Sequence, residues 1–402
     1  MDATILRQPT TRTPSGVESA RSTPWHVHAV LLSSLSVVVG VLWDISWHSS
    51  IGRDTLWSPP HLAMYVGGVV SGIACGWYVL HTSFVGLPAD RAVSVTFWKY
   101  FRGPLGAWMC IWGAFAMLTS APFDDWWHNA YGLDVKILSP PHAVLALGIL
   151  SIQLGALFMI LALQNRADEE APDSASIGRA RLYQVMFAIA AGLVLLNFAI
   201  MATEYTFRAL QHSTLFYRIA TPIFVLPLVV AAVAGRHRWS ATGAALTYTA
   251  VILTMHFVLP LFAAEPRLAP VRSPVEQMVP PQFPLLLIVP ALAIDLVTRR
   301  LPARTGAWTR AGALATAFLV PFFIVQWPFA SFLQSDLARN AIFKQHLRPY
   351  MVGPNDYGSV GIFWNPAAGS ELATGLLIAL GLGVLAARLG LAAGRWMSGV
   401  RR

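Results

Sequence analysis

The stretch HVHAVLLSSLSVVVGVLWDISW, residues 26–47, decides the fold. It is long enough to cross the hydrocarbon core of a bilayer, which takes about 20 apolar residues in a helix. Apart from two histidines, its only ionisable residue is Asp44, close to its end. Working outward, comparable blocks recur at roughly 60–83, 104–127, 141–164, 182–204, 216–235, 239–263, 282–298, 309–332 and 371–393. Pro284, Pro290, Pro321 and Pro328 interrupt two of these blocks, which a membrane bundle tolerates when neighbouring helices satisfy the freed carbonyls. Composition agrees, with 55% hydrophobic and 12% charged residues, where soluble domains carry about 25% charged. These features predict an all-α, polytopic transmembrane helical bundle of about ten spans, with both termini cytoplasmic.

A formal net charge of +9 would suit a nucleic-acid partner, but the placement of the charge argues for topology instead. With a cytoplasmic N-terminus, 19 of the 28 basic residues fall on cytoplasmic segments, among them Arg166, Arg179, Arg236, Arg299 and Arg395. That is the positive-inside bias, and no nucleic-acid role is expected. Residues 1–25 are polar and end without a small-residue cleavage motif, so they read as a disordered cytoplasmic tail rather than a signal peptide. Cys75 and Cys110 fall inside spans and have no metal-ligand spacing, so neither a disulfide nor a thiolate site is expected. Four regions follow: the tail, 26–165 as two-helix units, 182–298 as further bundle, and 309–402 as two last spans with an outer lid at 333–370.

The first block ends in chemistry. Asp44-Ile45-Ser46-Trp47-His48 is followed by Gly52-Arg53-Asp54 and by Ser58-Pro59-Pro60-His61. About 80 residues later Asp124-Asp125-Trp126-Trp127-His128, Gly132-Leu133-Asp134 and Ser139-Pro140-Pro141-His142 repeat it. The shared pattern D-x-x-W-H-x3-G-x-D-x(4,5)-S-P-P-H is too long for chance and marks an internal duplication. Asp44 and His48 are four residues apart and project from one helical face. The Pro-Pro pair suits the first turn of the next helix, where His61 can return beside them. Asp124, His128 and His142 repeat the arrangement. Two imidazoles and one carboxylate with open positions suit Cu, Zn or Fe(II) better than Mg or Ca. Asp54 and Asp134 are candidates for partners that orient an imidazole, with Arg53 beside them. A single carboxylate at the interface could instead cap a helix or pair with Arg53 or Lys136, and the tryptophans could form an ordinary belt. The same three-ligand set occurring twice favours metal.

At this point the residues resemble a known family. The first unit looks like the metal-binding segment of the C subunit of particulate methane and ammonia monooxygenases, in which an Asp-x3-His-x12-His set binds copper. Asp44, His48 and His61 match that spacing without a gap, and Arg53-Asp54-Thr55 and Ser58-Pro59 fall in the corresponding places. The family's second site is Asn-x3-His-x13-His. Asp124, His128 and His142 keep its spacing with Asp for Asn, which leaves copper, zinc and iron open there. The resemblance covers roughly residues 40–150. It implies a copper-dependent membrane monooxygenase, or a subunit of one, in which Asp44, His48 and His61 are the catalytic metal ligands. It further implies O2, ammonia or a small apolar substrate, partner subunits including a soluble copper domain, and an inner-membrane location with the sites on the outer face. The family's large soluble copper domain has no counterpart in this chain.

Elsewhere the signals are weaker. Glu204, Arg208 and His212 echo the repeat without a full ligand set, as does Met278-Val279-Pro280-Pro281-Gln282, and both read as structural. His256 reads as a core histidine. His26, His28, His81 and His237 fall on the cytoplasmic side, and His346 lies in the lid. Two other readings stand beside the oxidoreductase: a metal transporter or metal-delivery protein, and a structural subunit with zinc-stabilised sites. A transporter calls for ionisable groups deep in its spans, and Glu204 and Asp295 lie near span ends.

Overall fold

The computed structural model describes residues 23–92, 94–132, 139–167, 174–267, 270–356 and 361–401. Among these residues the chain is an all-α membrane-type bundle. Its helices are α1 (Trp25–Ser50), α2 (Pro59–Phe84), the short α3 (Pro88–Ala92), α4 (Leu105–Tyr131), α5 (Pro140–Ala167) and α6 (Ser174–Met201). The short α7 (Thr203–Thr206), α8 (Thr214–Ala234), α9 (Ser240–Val258), α10 (Ile288–Arg300), α11 (Ala307–Gln334) and α12 (Gly369–Met397) follow. Nine of the described helices are long and apolar enough to cross a membrane. A two-stranded antiparallel hairpin, β1 (Val95–Phe97) with β2 (Phe101–Gly103), sits between α2 and α4.

The block expected as a span at 282–298 does not form one helix. Its helical part, α10, has 13 residues, and the chain before it is irregular. Three contacts show that this segment nonetheless runs the length of α9 in the opposite direction. His256 Nδ1, near the end of α9, lies 2.9 Å from the Pro281 carbonyl. Tyr248, two turns back, accepts from the Leu285 N–H at 3.1 Å. At the start of α9, the Asp295 carboxylate accepts from the N–H groups of Ala241 and Thr242 and from the Thr242 hydroxyl. The tenth crossing is therefore half irregular chain and half helix, and Asp295 is a cap for α9.

Irregular backbone at membrane depth needs partners for every polar group. Pro280, Pro281 and Pro284 remove three donors outright. Ser46 donates to the Val279 carbonyl at 2.6 Å, and the Val279 N–H donates to Ser50 at 2.7 Å. The Leu286 N–H donates to Gln326 Oε1 at 2.9 Å, and Gln326 Nε2 donates onward to Gln211 at 2.7 Å. Side chains of α1, α9 and α11 thus take over what a helix would have supplied. The prolines made a continuous helix costly, and these distant polar residues made the break tolerable.

Helices α1, α2, α4 and α5 form one side of the bundle, and α8 to α12 form the other, with α1 and α6 touching both. Small residues let backbones approach where lipid supplies little drive for association. A Cβ on Gly67 would meet the Ser33 carbonyl at 2.8 Å and Val37, joining α2 to α1. A Cβ on Gly148 would meet the Gly113 carbonyl and Met117 at 2.9 Å, joining α5 to α4. The segment expected to form a lid is docked where it is described. Phe343 packs on Phe283 and Phe332, and Phe363 stacks on His212 at 3.7 Å. The Tyr350 and Arg267 N–H groups donate to the Ser49 and Ile51 carbonyls, holding the end of α1.

Candidate metal centre

Each part of the repeated motif has a local structural job. Gly52 and Gly132 follow α1 and α4 with φ of 107° and 87°, a backbone region that residues with a side chain rarely adopt. They return N–H groups to the carbonyls of Trp47 and His128. Pro59-Pro60 and Pro140-Pro141 occupy the first positions of α2 and α5, where a missing N–H costs nothing. Ser58 and Ser139 precede them, and the His142 N–H approaches Ser139 Oγ at 3.4 Å. Each hairpin therefore turns sharply and brings its second histidine back to its Asp-x3-His pair.

In the first hairpin, His61 Nε2 lies 3.4 Å from Asp44 Oδ1, and His48 Nε2 lies 3.7 Å from Asp44 Oδ2. In the second, His128 Nε2 and His142 Nε2 lie 3.4 and 3.5 Å from Asp124 Oδ1. The predicted set Asp124–His128–His142 is thus brought together; in the first hairpin Asp44 has His48 and His61 near it through different carboxylate oxygens. Buried polar atoms in native proteins are almost always paired. Asp44 Oδ1 and Asp124 Oδ1 are both buried without a hydrogen-bond partner, and each faces imidazole Nε2 atoms. The same orphaned atom in both hairpins is what a cation held between carboxylate and imidazoles would resolve. Among the described residues, Asp44, Asp54 and His61 form one group with ligand atoms within 4.8 Å of one another, and Asp124, His128 and His142 form another.

Asp54 stands elsewhere than expected. It was a candidate for orienting an imidazole from behind, yet its Oδ2 lies 2.7 Å from His61 Nε2 and 3.6 Å from His48 Nε2. It shares the side of His61 that faces Asp44, so the close-set group of the first hairpin is Asp44, Asp54 and His61, with half-exposed His48 beside it at 3.6 Å from Asp54 and 3.7 Å from Asp44. Burial alone would raise the Asp54 carboxyl, but hydrogen bonds with His48 and His61 hold it well below the usual carboxylate range. Arg53 is exposed and pairs with neither aspartate. Asp134 and Lys136 lie outside the described residues. His128 Nδ1 instead lies 3.0 Å from the Gly132 carbonyl, which orients that ring.

The two clusters are neighbours. Helix α2 packs on α4 and α1 on α5, and the Asp44 carboxylate lies within electrostatic reach of His142. The remaining histidines are elsewhere. His26 stacks on Tyr78 and His81 on Trp77 at the far ends of α1 and α2. His256 faces the carbonyls of Pro281 and Ile342 and ties the lid to the broken crossing. His212 is sandwiched between Trp327 and Phe363. The two echoes of the repeat meet each other, through the Arg208 N–H and Gln282 Oε1 at 3.0 Å. No family model, curated protein or solved structure matches this chain.

Proposed function

We propose that this chain is an integral membrane metalloprotein holding one metal ion at each of two neighbouring carboxylate–histidine clusters, and that it oxidises a small substrate with O2. The observation that carries the metal reading is the buried, unpartnered carboxylate oxygen facing imidazole nitrogens in both hairpins. The oxidative reading rests on the resemblance to the copper membrane monooxygenases. Asp44, His48 and His61, joined here by Asp54, would hold the first ion, and Asp124, His128 and His142 the second. Copper is the ion the resemblance implies. A second carboxylate hardens the first cluster, so iron or zinc competes there more strongly than for Asp44, His48 and His61 alone. Copper or iron would supply the one-electron chemistry that O2 requires. The side chains position the ion and keep it at the mouth of an apolar bundle, open to ammonia or to short hydrocarbons dissolved in lipid.

The broken tenth crossing favours a second reading, transport, since discontinuous helices line many transporter sites. Backbone groups of Val279, Leu285 and Leu286 are already committed to Ser46, Ser50, Tyr248 and Gln326, and Asp295 to capping α9. That supports a fixed part rather than a passage. By the placement of basic residues, the clusters face outward from the inner membrane. The test is O2 uptake by copper- or iron-loaded protein with a reductant, given ammonia or a short alkane, in the presence of partner subunits. Substrate-dependent uptake that Asp44→Ala abolishes is expected. Fully loaded protein that oxidises nothing, alongside metal uptake into proteoliposomes, would replace this reading with transport.

A further inference from the structure

Between Glu371 and Arg395, the only ionisable side chain of α12 is Arg388. It lies 19 residues after Gly369, where the helix begins, and so about 28 Å along the helix axis. That is close to the far edge of a hydrocarbon core about 30 Å thick. The end of α12 lies opposite the metal clusters, since the Met397 carbonyl accepts from Asn165 Nδ2 at the end of α5, whose start carries His142. The Arg388 guanidinium carbon stands 5.8 Å from the ring of Trp308, in the first turn of α11. Helices α11 and α12 run antiparallel, and a Cβ on Gly383 would stand 3.4 Å from Ala315. Five residues further toward this end on each helix, Arg388 is level with Arg310. Arg310 donates to the Pro302 carbonyl at 2.7 Å. Arg388 has no such acceptor. Its Nε is buried without a hydrogen-bond partner, and among the described residues its guanidinium pairs with no carboxylate or carbonyl.

The surrounding elements carry no anion to spare. Residues 301–335 and 372–402 contain no aspartate or glutamate, yet they hold Arg304, Arg310, Arg388, Arg395, Arg401 and Arg402. On α10, which packs on α11, Asp295 caps α9, and Arg299 and Arg300 add two more positive charges. A charge at membrane depth is costly without a partner. Toward the bilayer centre from Arg388, Leu385, Leu382 and Ile378 are exposed on successive turns of α12. A guanidinium at headgroup depth below an apolar stripe matches a lipid in both halves. We propose that Arg388 and Trp308 form the headgroup site of an anionic phospholipid, whose phosphate accepts from the Arg388 guanidinium while its chains lie along Leu385, Leu382 and Ile378. The planar fork of arginine suits phosphate because it donates two parallel hydrogen bonds. This site is independent of the metal reading.

Full-length wild-type, Arg388→Gln, Arg388→Lys and Arg102→Gln proteins in neutral detergent are titrated with phosphatidylglycerol or phosphatidylcholine. Native mass spectrometry counts bound lipid, and melting temperature checks folding. Arg102 lies in the hairpin on the same side of the membrane, so its substitution removes an equal charge elsewhere. The wild type is expected to prefer phosphatidylglycerol about fivefold, the effect of one arginine at an anionic surface. Arg388→Gln should bind that lipid about tenfold more weakly, the size of a hydrogen bond to a charged group. Arg388→Lys should fall between, and Arg102→Gln should match the wild type. Wild-type affinity in the folded Arg388 variants, an equal loss in Arg102→Gln, or no preference between the two lipids would overturn the proposal. Inorganic phosphate alone should leave the melting temperature unchanged. Stabilisation by it equal to that by phosphatidylglycerol would show a site for a free anion and overturn the lipid assignment.

Discussion

At pH 5 the first cluster is expected to hold its metal about a thousandfold more weakly than at pH 7.5. Imidazoles must be neutral to bind an ion. Even at the ordinary histidine value of about 6.5, each is about 3% neutral at pH 5, and His48 and His61 both have to lose a proton. Asp54 does not share in this loss. Its carboxyl is held below the usual range, so its contribution to folding is present above the ordinary carboxylate value and disappears only as pH falls through the lowered one. Between pH 5 and 7.5 it stays ionised, and metal release in that window therefore precedes unfolding through this group. Competitive chelator titrations across the range, with helicity monitored in parallel, check this. Metal affinity that is flat from pH 7.5 to 5 would remove the histidines from the ligand set.

Gly148→Leu is expected to empty the second cluster and leave the first filled. Gly148 and Gly113 meet backbone to backbone, and even a Cβ at Gly148 would stand 2.9 Å from the Gly113 carbonyl and the Met117 nitrogen. A leucine there forces α4 and α5 apart, at a cost of about 1–3 kcal/mol or more for an overpacked contact. Asp124 and His128 ride on α4 while His142 rides on α5, so the separation opens the ligand set itself. The measurement is metal stoichiometry with thermal unfolding, and Gly76→Leu is the control because nothing lies within 4 Å of a Cβ there. A Gly148→Leu protein with both ions and an unchanged melting temperature would show that this crossing does not position the cluster.

The parts of the molecule legible in the sequence are those with local causes. Asp44 and His48 share a face because they are four apart, and Pro59-Pro60 and Gly52 mark where α2 begins and α1 ends. The irregular segment before α10 carried only half a signal, its prolines. Pro284 and Pro290 mark the tenth crossing as interrupted, but the groups that let it unwind, Ser46, Ser50, Tyr248 and Gln326, lie far away in the chain. Asp54 was legible as a cluster residue but not by side, because spacing does not fix the path of the Ile51–Ser58 loop.

The central claim is two metal ions per chain at two separable clusters. Metal analysis of purified wild-type, His48→Ala and His128→Ala proteins, loaded and then dialysed under the same conditions, tests it most directly. The account predicts two equivalents in the wild type, about one in each single variant, and close to none when both substitutions are combined. Wild-type metal content in both single variants, or no metal in the wild type, would contradict it.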